Sequence, residues 1–318
     1  MRAAVINGHG GSDRFEIREV ERPSPGSGQI LVRVHAASVN PIDWKTRRGG
    51  LFYSRGARFP LILGYDVAGE VEEIGPEVDR FQPGDPVYAY LDSSHGGAYA
   101  EYAVVGQGAA ARKPERLSFE EAAAVPLAGL TALQALRDKG ELAEGERLLV
   151  NGASGGVGHF AVQIAKVLGA RVVGVSSGRN QEFVRELGAE RTIDYEQEDF
   201  TQDEDTFDVV LDTVGNTSLR DCDFILGEGG VFVTTLPGPL VFIQGATAYV
   251  SSLFGPTRRA RLVVGKRKGD DLALLARWID QGKIRPVLQE VYPLEEIRQA
   301  HEASESGHAR GKIVVRVG

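Results

Sequence analysis

The run Asn151-Gly152-Ala153-Ser154-Gly155-Gly156-Val157-Gly158 constrains the fold of this chain more than any other feature. It follows Leu148-Leu149-Val150, read as a short buried strand, and opens the stretch Gly156 to Leu168. There Ala161, Ile164, Ala165 and Leu168 recur at helical spacing. Glycines between a buried strand and a helix let the main chain approach an anion, while the helix start offers unbonded N–H groups and a positive dipole end. Gly152, Ser154, Gly155, Gly156 and Val157 would line a pyrophosphate, and Gly158 would let the helix pack close to its sheet. The turn therefore predicts a dinucleotide site.

Its surroundings predict the sheet around it. Val172 to Val175, Thr192-Ile193, Val209 to Leu211 and Val231 to Val233 read as strands, with helices over Gln181 to Leu187 and Leu219 to Leu226. Strand and helix alternate, and the strands are runs rich in Val, Leu and Ile rather than alternating patterns. That pattern implies a doubly wound parallel sheet of Rossmann type, buried on both faces. Residues 1–121 differ. Ile30 to Val34, Val67 to Val71 and Val87 to Tyr90 are short strands, with a turn at Pro83 to Pro86, and they imply a compact β-rich domain. Ser118 with Glu121 reads as a helix-opening capping box. After two amphipathic helices, Leu272 to Ile279 and Leu294 to Ala303, the strand Lys312 to Val317 is expected to rejoin the first domain. The division is then 1–121 plus 269–318 as one domain, with 122–268 inserted as the other.

Composition narrows the function. With 36 Lys plus Arg against 44 Asp plus Glu, the net charge of −8 argues against nucleic acid or an anionic membrane as partner. The uncharged stretch from Gly229 to Thr257 is broken by Pro237, Gly238, Pro239, Gln244 and Gly245, so it reads as a buried strand and a pocket-lining loop, not a membrane span. The N-terminal apolar stretch is too short for a secretory leader. The single cysteine, Cys222, excludes an internal disulfide and fits a reducing, cytoplasmic interior. No Tyr is followed four places later by Lys, no Gly-Lys-Ser/Thr occurs, and the six histidines lack metal-ligand spacing.

The end of the second nucleotide-domain strand selects the cofactor. Val175-Ser176-Ser177-Gly178-Arg179 carries no carboxylate for a ribose 2′-hydroxyl. Ser176 and Ser177 can donate hydrogen bonds and Arg179 a charge-assisted one, which favours NADP over NAD.

Val39-Asn40-Pro41-Ile42-Asp43, Leu63 to Gly69, Gly97 to Tyr102, Pro126 to Ala132, the glycine-rich turn and Gly311-Lys312-Ile313-Val314 together resemble the medium-chain dehydrogenase/reductase superfamily, in its zinc-independent quinone oxidoreductase (zeta-crystallin-like) branch. The resemblance covers the whole chain. It implies a GroES-like catalytic domain, a Rossmann domain and an active site between them. Zinc-dependent relatives carry Cys where this chain has Asn40 and Gly-His-Glu where it has Gly64-Tyr65-Asp66, and they hold a four-cysteine lobe that is missing here. No catalytic or structural metal is therefore expected. Without a Lewis acid, the expected acceptor has an electron-poor carbon, as in a quinone or an α,β-unsaturated carbonyl. By family position, Asn40, Lys45 and Tyr53 are the candidate catalytic donors. Thr131, Tyr195, Val214, Leu236 and Lys312 are further candidate cofactor contacts. Relatives often pair through an edge strand of the nucleotide domain, which implies a homodimer. Two other readings stay open: a methyltransferase using the same strand–helix turn, against which Ser176-Ser177 speaks, and an NADPH-binding structural or sensor protein with little turnover.

Overall fold

The computed structural model describes residues 1–50, 56–236 and 258–318. Sixteen strands are described: β1 Arg2–Ile6, β2 Phe15–Glu19, β3 Gln29–Val39, β4 Leu61–Ile62, β5 Asp66–Ile74, β6 Pro86–Tyr90, β7 Tyr102–Gly106, β8 Ala110–Arg112, β9 Arg147–Asn151, β10 Arg171–Ser176, β11 Arg191–Asp194, β12 Phe207–Asp212, β13 Leu226–Thr234, β14 Arg259–Leu262, β15 Leu288–Pro293 and β16 Lys312–Arg316. The described α-helices are α1 Pro41–Arg47, α2 Phe119–Ala123, α3 Pro126–Gln134, α4 Gly158–Val167, α5 Gln181–Glu186, α6 Gly269–Asp280 and α7 Ile297–Glu305.

The chain forms two compact units. The first comprises Met1–Leu130, Arg267–Gly282 and Pro286–Gly318, and the second Thr131–Lys266 with Lys283–Arg285. The division falls inside α3 rather than at residue 121. The run Pro126 to Gln134 is one continuous helix, so the chain offers no punctuation where the units part.

The first unit is built on a seven-stranded sheet of order β15-β16-β3-β5-β6-β8, with β7 also paired to β3. A smaller sheet of order β2-β1-β4 completes it. The C-terminal strand β16 lies antiparallel to β3, with Val314 opposite Ser38, so the last residues of the chain rejoin the sheet formed by the first. Ile30, Val32 and Val34 of β3 share one core with Val67, Val87, Ile313 and Val315, and with Ile297 and Ala300 of α7. Burying each of these Val and Ile side chains contributes about 1.5–3 kcal/mol. Ser118 accepts from the Glu121 amide at 3.2 Å, and the Glu121 carboxylate accepts from the Ser118 amide at 2.9 Å. This is the reciprocal cap expected at the start of α2.

The second unit is a six-stranded, wholly parallel sheet of order β11-β10-β9-β12-β13-β14. The order reverses between β9 and β12. In open parallel sheets ligands bind at such a reversal, beyond the carboxyl ends of the strands. Asn151 and Asp212 end β9 and β12 there and lie in register. The central strands carry unbroken buried runs, as two-sided burial requires.

One expected element does not form. Residues 219–225 make turns instead of an α-helix, and Leu226 already belongs to β13. Only the Cys222 and Leu226 amides close four-residue bonds, to the Ser218 and Cys222 carbonyls. The apolar period that suggested a helix is real, since Cys222, Ile225 and Leu226 are all buried. However, Asp221 and Asp223 have low helix propensity, and the Asp221 carboxylate is drawn back to the Ser218 amide and hydroxyl. Burial pushes the Cys222 thiol up to about 11, so it behaves as a small apolar group. The pocket-lining part of the Gly229 to Thr257 stretch lies outside the described residues. Among those described, no helix is long and apolar enough to cross a membrane.

Candidate functional site

In the second unit the glycine-rich turn closes as the strand-to-helix switch demands. Gly152 takes φ +82°, and a Cβ there would meet Thr213 Oγ1 at 2.5 Å and Val214 Cγ2 at 2.7 Å. At Gly158 a Cβ would stand 2.0 Å from the Gly152 carbonyl oxygen. These two positions admit no side chain. The amides of Gly156, Val157 and Gly158 find no main-chain acceptor among the described residues. A turn with free amides at the start of a ten-residue helix fits a pyrophosphate.

The end of β10 is tied to this turn. Asn180 Nδ2 donates to Ser154 Oγ at 3.3 Å and to Ser177 Oγ at 3.2 Å. Ser176 is buried, and Gln181 Nε2 donates to its hydroxyl at 3.1 Å, so it is engaged inside the fold. Arg179 is exposed and makes no ion pair among the described residues, which leaves its guanidinium available to an anion. Tyr195 is exposed beyond β11. The Asp194 carboxylate also lies here, within 2.7 Å of where a Cβ on Gly178 would stand. Val214 is exposed on the turn after β12, Leu236 follows β13, and Thr131 is buried on α3.

The first unit holds a buried polar cluster. Pro41 opens α1 with its fixed φ, and Asp43 reaches back to accept the Asn40 amide at 2.7 Å. The Asn40 side chain has further polar partners. Its Nδ2 donates to Asp66 Oδ2 at 2.9 Å, and its Oδ1 accepts from Lys312 Nζ at 2.5 Å. A carboxylate on one side and an ammonium on the other fix which way the amide points. Asp66 also accepts from the Ser38 hydroxyl at 2.7 Å and the Leu127 amide at 2.7 Å, and lies 3.6 Å from Lys312 Nζ. Lys312, expected at the cofactor, therefore points its ammonium into this cluster. Burial lowers its pKa, and Asp66 and Asp43 oppose that. Tyr65 directs its hydroxyl to the Ser94 carbonyl at 3.0 Å. Lys45 is half-buried on α1, 5.4 Å from the centre of the Trp44 ring, and burial lowers its pKa. Tyr53 lies outside the described residues.

Asp43 was not singled out from the sequence, although its capping-box spacing to Asn40 was a usable signal. Its second oxygen accepts the Gly64 amide at 3.1 Å, so one carboxyl group ties together the two loops that carry Asn40 and Asp66. Burial pushes Asp43 up from 3.8 to about 7, while its bond from the Asn40 amide pulls it down. A carboxyl raised in this way keeps its proton where the unfolded chain has lost it. The stability it contributes is present below the unfolded pKa and fades as pH rises through about 7. Thermal melts at about pH 5 and about pH 8 should show a loss of stability at the higher pH that is clearly smaller in Asp43→Asn. Parallel pH dependence in the two proteins would contradict this role.

A parallel nucleotide sheet with a glycine-rich turn at its reversal point, and a β unit with a buried Lys–Asn–Asp cluster, define a two-unit oxidoreductase of the dehydrogenase/reductase kind. Residues 26–115 match the family model for the alcohol dehydrogenase GroES-like domain, and residues 187–315 that for a zinc-binding dehydrogenase. The chain is 36% identical to the mitochondrial NAD(P)H oxidoreductase RTN4IP1 of Mus musculus, over 91% of this chain and 82% of that protein. It is 35% identical to the 2-methylene-furan-3-one reductase of Solanum lycopersicum, over 99% of this chain and 79% of the relative. The solved quinone oxidoreductase of Coxiella burnetii superposes with a TM-score of 0.90 at 36% identity, covering 100% of this chain and 99% of that one. The chain belongs to the medium-chain dehydrogenase/reductase superfamily, in its zinc-independent quinone oxidoreductase-like branch.

Proposed function

We propose that this protein is an NADPH-dependent, metal-free reductase of quinones or α,β-unsaturated carbonyls. The observation that carries the reading is the Lys312 ammonium, 2.5 Å from Asn40 Oδ1 and 3.6 Å from Asp66 Oδ2. Asn40, Tyr65 and Asp66 replace the thiolate, imidazole and carboxylate of the zinc-dependent relatives. A fixed ammonium among them saturates the remaining oxygens and repels a divalent cation. Catalysis without a Lewis acid favours an acceptor that already has an electron-poor carbon. The names of relatives agree: one is a quinone oxidoreductase, and another reduces a furanone whose exocyclic double bond is conjugated to a ketone.

NADPH supplies the hydride when bound. The amides of Gly156, Val157 and Gly158 would hold its pyrophosphate, Ser177, Arg179 and Tyr195 its 2′-phosphate end, and Thr131, Val214 and Leu236 its nicotinamide end. Hydride arrival at the β-carbon of an enone, or on a quinone ring, leaves negative charge on the acceptor oxygen, and one proton completes the reduction. Asn40 keeps one Nδ2 hydrogen beyond the one given to Asp66, and Lys312 prevents the amide from turning over. Such a preorganised donor suits a developing oxyanion. Lys45 and Tyr53 are the alternative donors, and water can supply the proton.

A cytoplasmic homodimer belongs to the same proposal. It rests on the single cysteine and on β14 forming an edge of the nucleotide sheet. NADPH and NADH oxidation measured against a small quinone and a panel of enones tests the function. Acceptor-dependent turnover with NADPH preferred is expected. Tight NADPH binding without turnover would point instead to a sensor or structural role.

A further inference from the structure

The buried Asp212 carboxylate gathers the strand ends at the reversal point of the second unit. Oδ1 accepts from the Val214 amide at 3.1 Å, the Gly215 amide at 3.0 Å and Asn151 Nδ2 at 3.0 Å. Oδ2 accepts from the Gly215 amide at 3.1 Å and the Thr234 hydroxyl at 3.4 Å. One side chain thus joins the ends of β9, β12 and β13. The turn it holds is also clamped from both sides. The Thr213 hydroxyl donates to the Asn151 carbonyl at 2.8 Å, and Thr213 and Val214 close over the space a Gly152 side chain would need. Leu236 donates its amide to Thr234 Oγ1 at 3.2 Å and packs where a Cβ on Gly215 would be, 2.3 Å from its Cδ1. The residues that bound the adenosine end, Ser177, Arg179 and Tyr195, share none of these bonds.

We propose that Asp212 is a positioning residue for the nicotinamide half of the cofactor: by fixing the Thr213–Gly215 turn and, through Thr234, Leu236, it sets that end of the crevice independently of the adenosine end. The inference rests on the NADPH reading above. Burial raises the Asp212 pKa, and the bonds from the Gly215 and Val214 amides, Asn151 and Thr234 oppose that rise.

The test compares two ligands by calorimetry: NADPH, and 2′,5′-ADP, which has the phosphorylated adenosine but no nicotinamide. In Asp212→Ala the Kd for NADPH should rise at least about tenfold, the equivalent of one lost charge-assisted bond, while that for 2′,5′-ADP stays within about twofold. Asp212→Asn should lose less, because the amide oxygen can still accept from Val214 and Gly215 while its NH2 donates to the Thr234 hydroxyl. Gly215→Ala provides a folding-safe arm. The site is exposed, and the new methyl displaces Leu236 and strains a φ of +83°, so the same selective loss is expected with Asp212 intact. Equal weakening of both ligands would assign Asp212 a merely structural part and overturn the proposal, as would unchanged NADPH affinity in folded Asp212→Ala and Gly215→Ala. A wild-type protein that binds neither ligand would instead defeat the NADPH reading, and this inference with it.

Discussion

Gly158→Ala should raise the Kd for NADPH about a hundredfold or more, equivalent to about 2.8 kcal/mol, and lower the melting temperature as well. The new methyl would stand 2.0 Å from the Gly152 carbonyl oxygen and 2.8 Å from Ala153 Cα. Both atoms belong to the main chain, so no side chain can swing aside to relieve the overlap. Either α4 moves away from the sheet or the turn opens, and both displace the amides of Gly156, Val157 and Gly158. Gly155→Ala is the internal control. Its Cβ would meet only the Gly152 carbonyl, at 3.3 Å, so a loss below about tenfold is expected there. Calorimetric titration of the two variants with NADPH, beside their melting curves, checks the contrast. Similar losses at both positions would mean that the close approach at Gly158 does not shape the site.

Arg179→Ala should weaken NADPH by about tenfold or more while leaving NADH within about twofold. The guanidinium is exposed and makes no ion pair among the described residues, so removing it breaks no internal contact. A charge-assisted bond to phosphate corresponds to about 1.5–3 kcal/mol, and solvent at this exposed site moves the expectation to the lower end. The preference should also shrink with added salt in the wild type and hardly at all in the variant. Equal losses for the two cofactors would remove Arg179 as the reader of the 2′-phosphate and leave Ser177 and Tyr195 to account for any preference.

Much of this arrangement was legible because burial and local geometry speak through residue type. The short Val- and Leu-rich runs of β9, β10 and β12 between turn signals suit doubly buried strands, and glycines at 152 and 158 mark backbone that no side chain can share. Ser118 with Glu121 was readable for the same reason, as a local pattern with one physical outcome, and Lys312 to Val317 was readable as a strand, its return to the first sheet being an inference about a partner far away in sequence. The remaining features depend on partners distant in sequence. Lys312 is set by Asn40 and Asp66, which neither its neighbours nor its family position reveal. The apolar spacing of Cys222, Ile225 and Leu226 is equally compatible with helix and with successive turns, and the hydrogen bonds of Asp221 decide between them. Asp43 and Asp212 look like ordinary surface-prone acids in the sequence. Only folding shows each buried and accepting from main-chain amides that a loop would otherwise leave unpaired.

The most direct test of metal-free, NADPH-driven reduction starts with protein exhaustively treated with chelator and assayed for bound metal. This protein is mixed rapidly with NADPH and a quinone while the absorbance of the reduced nicotinamide is followed. The account predicts full acceptor-dependent oxidation of NADPH without stoichiometric zinc, at a rate that added zinc does not raise. Activity that vanishes on chelation and returns with zinc would contradict it.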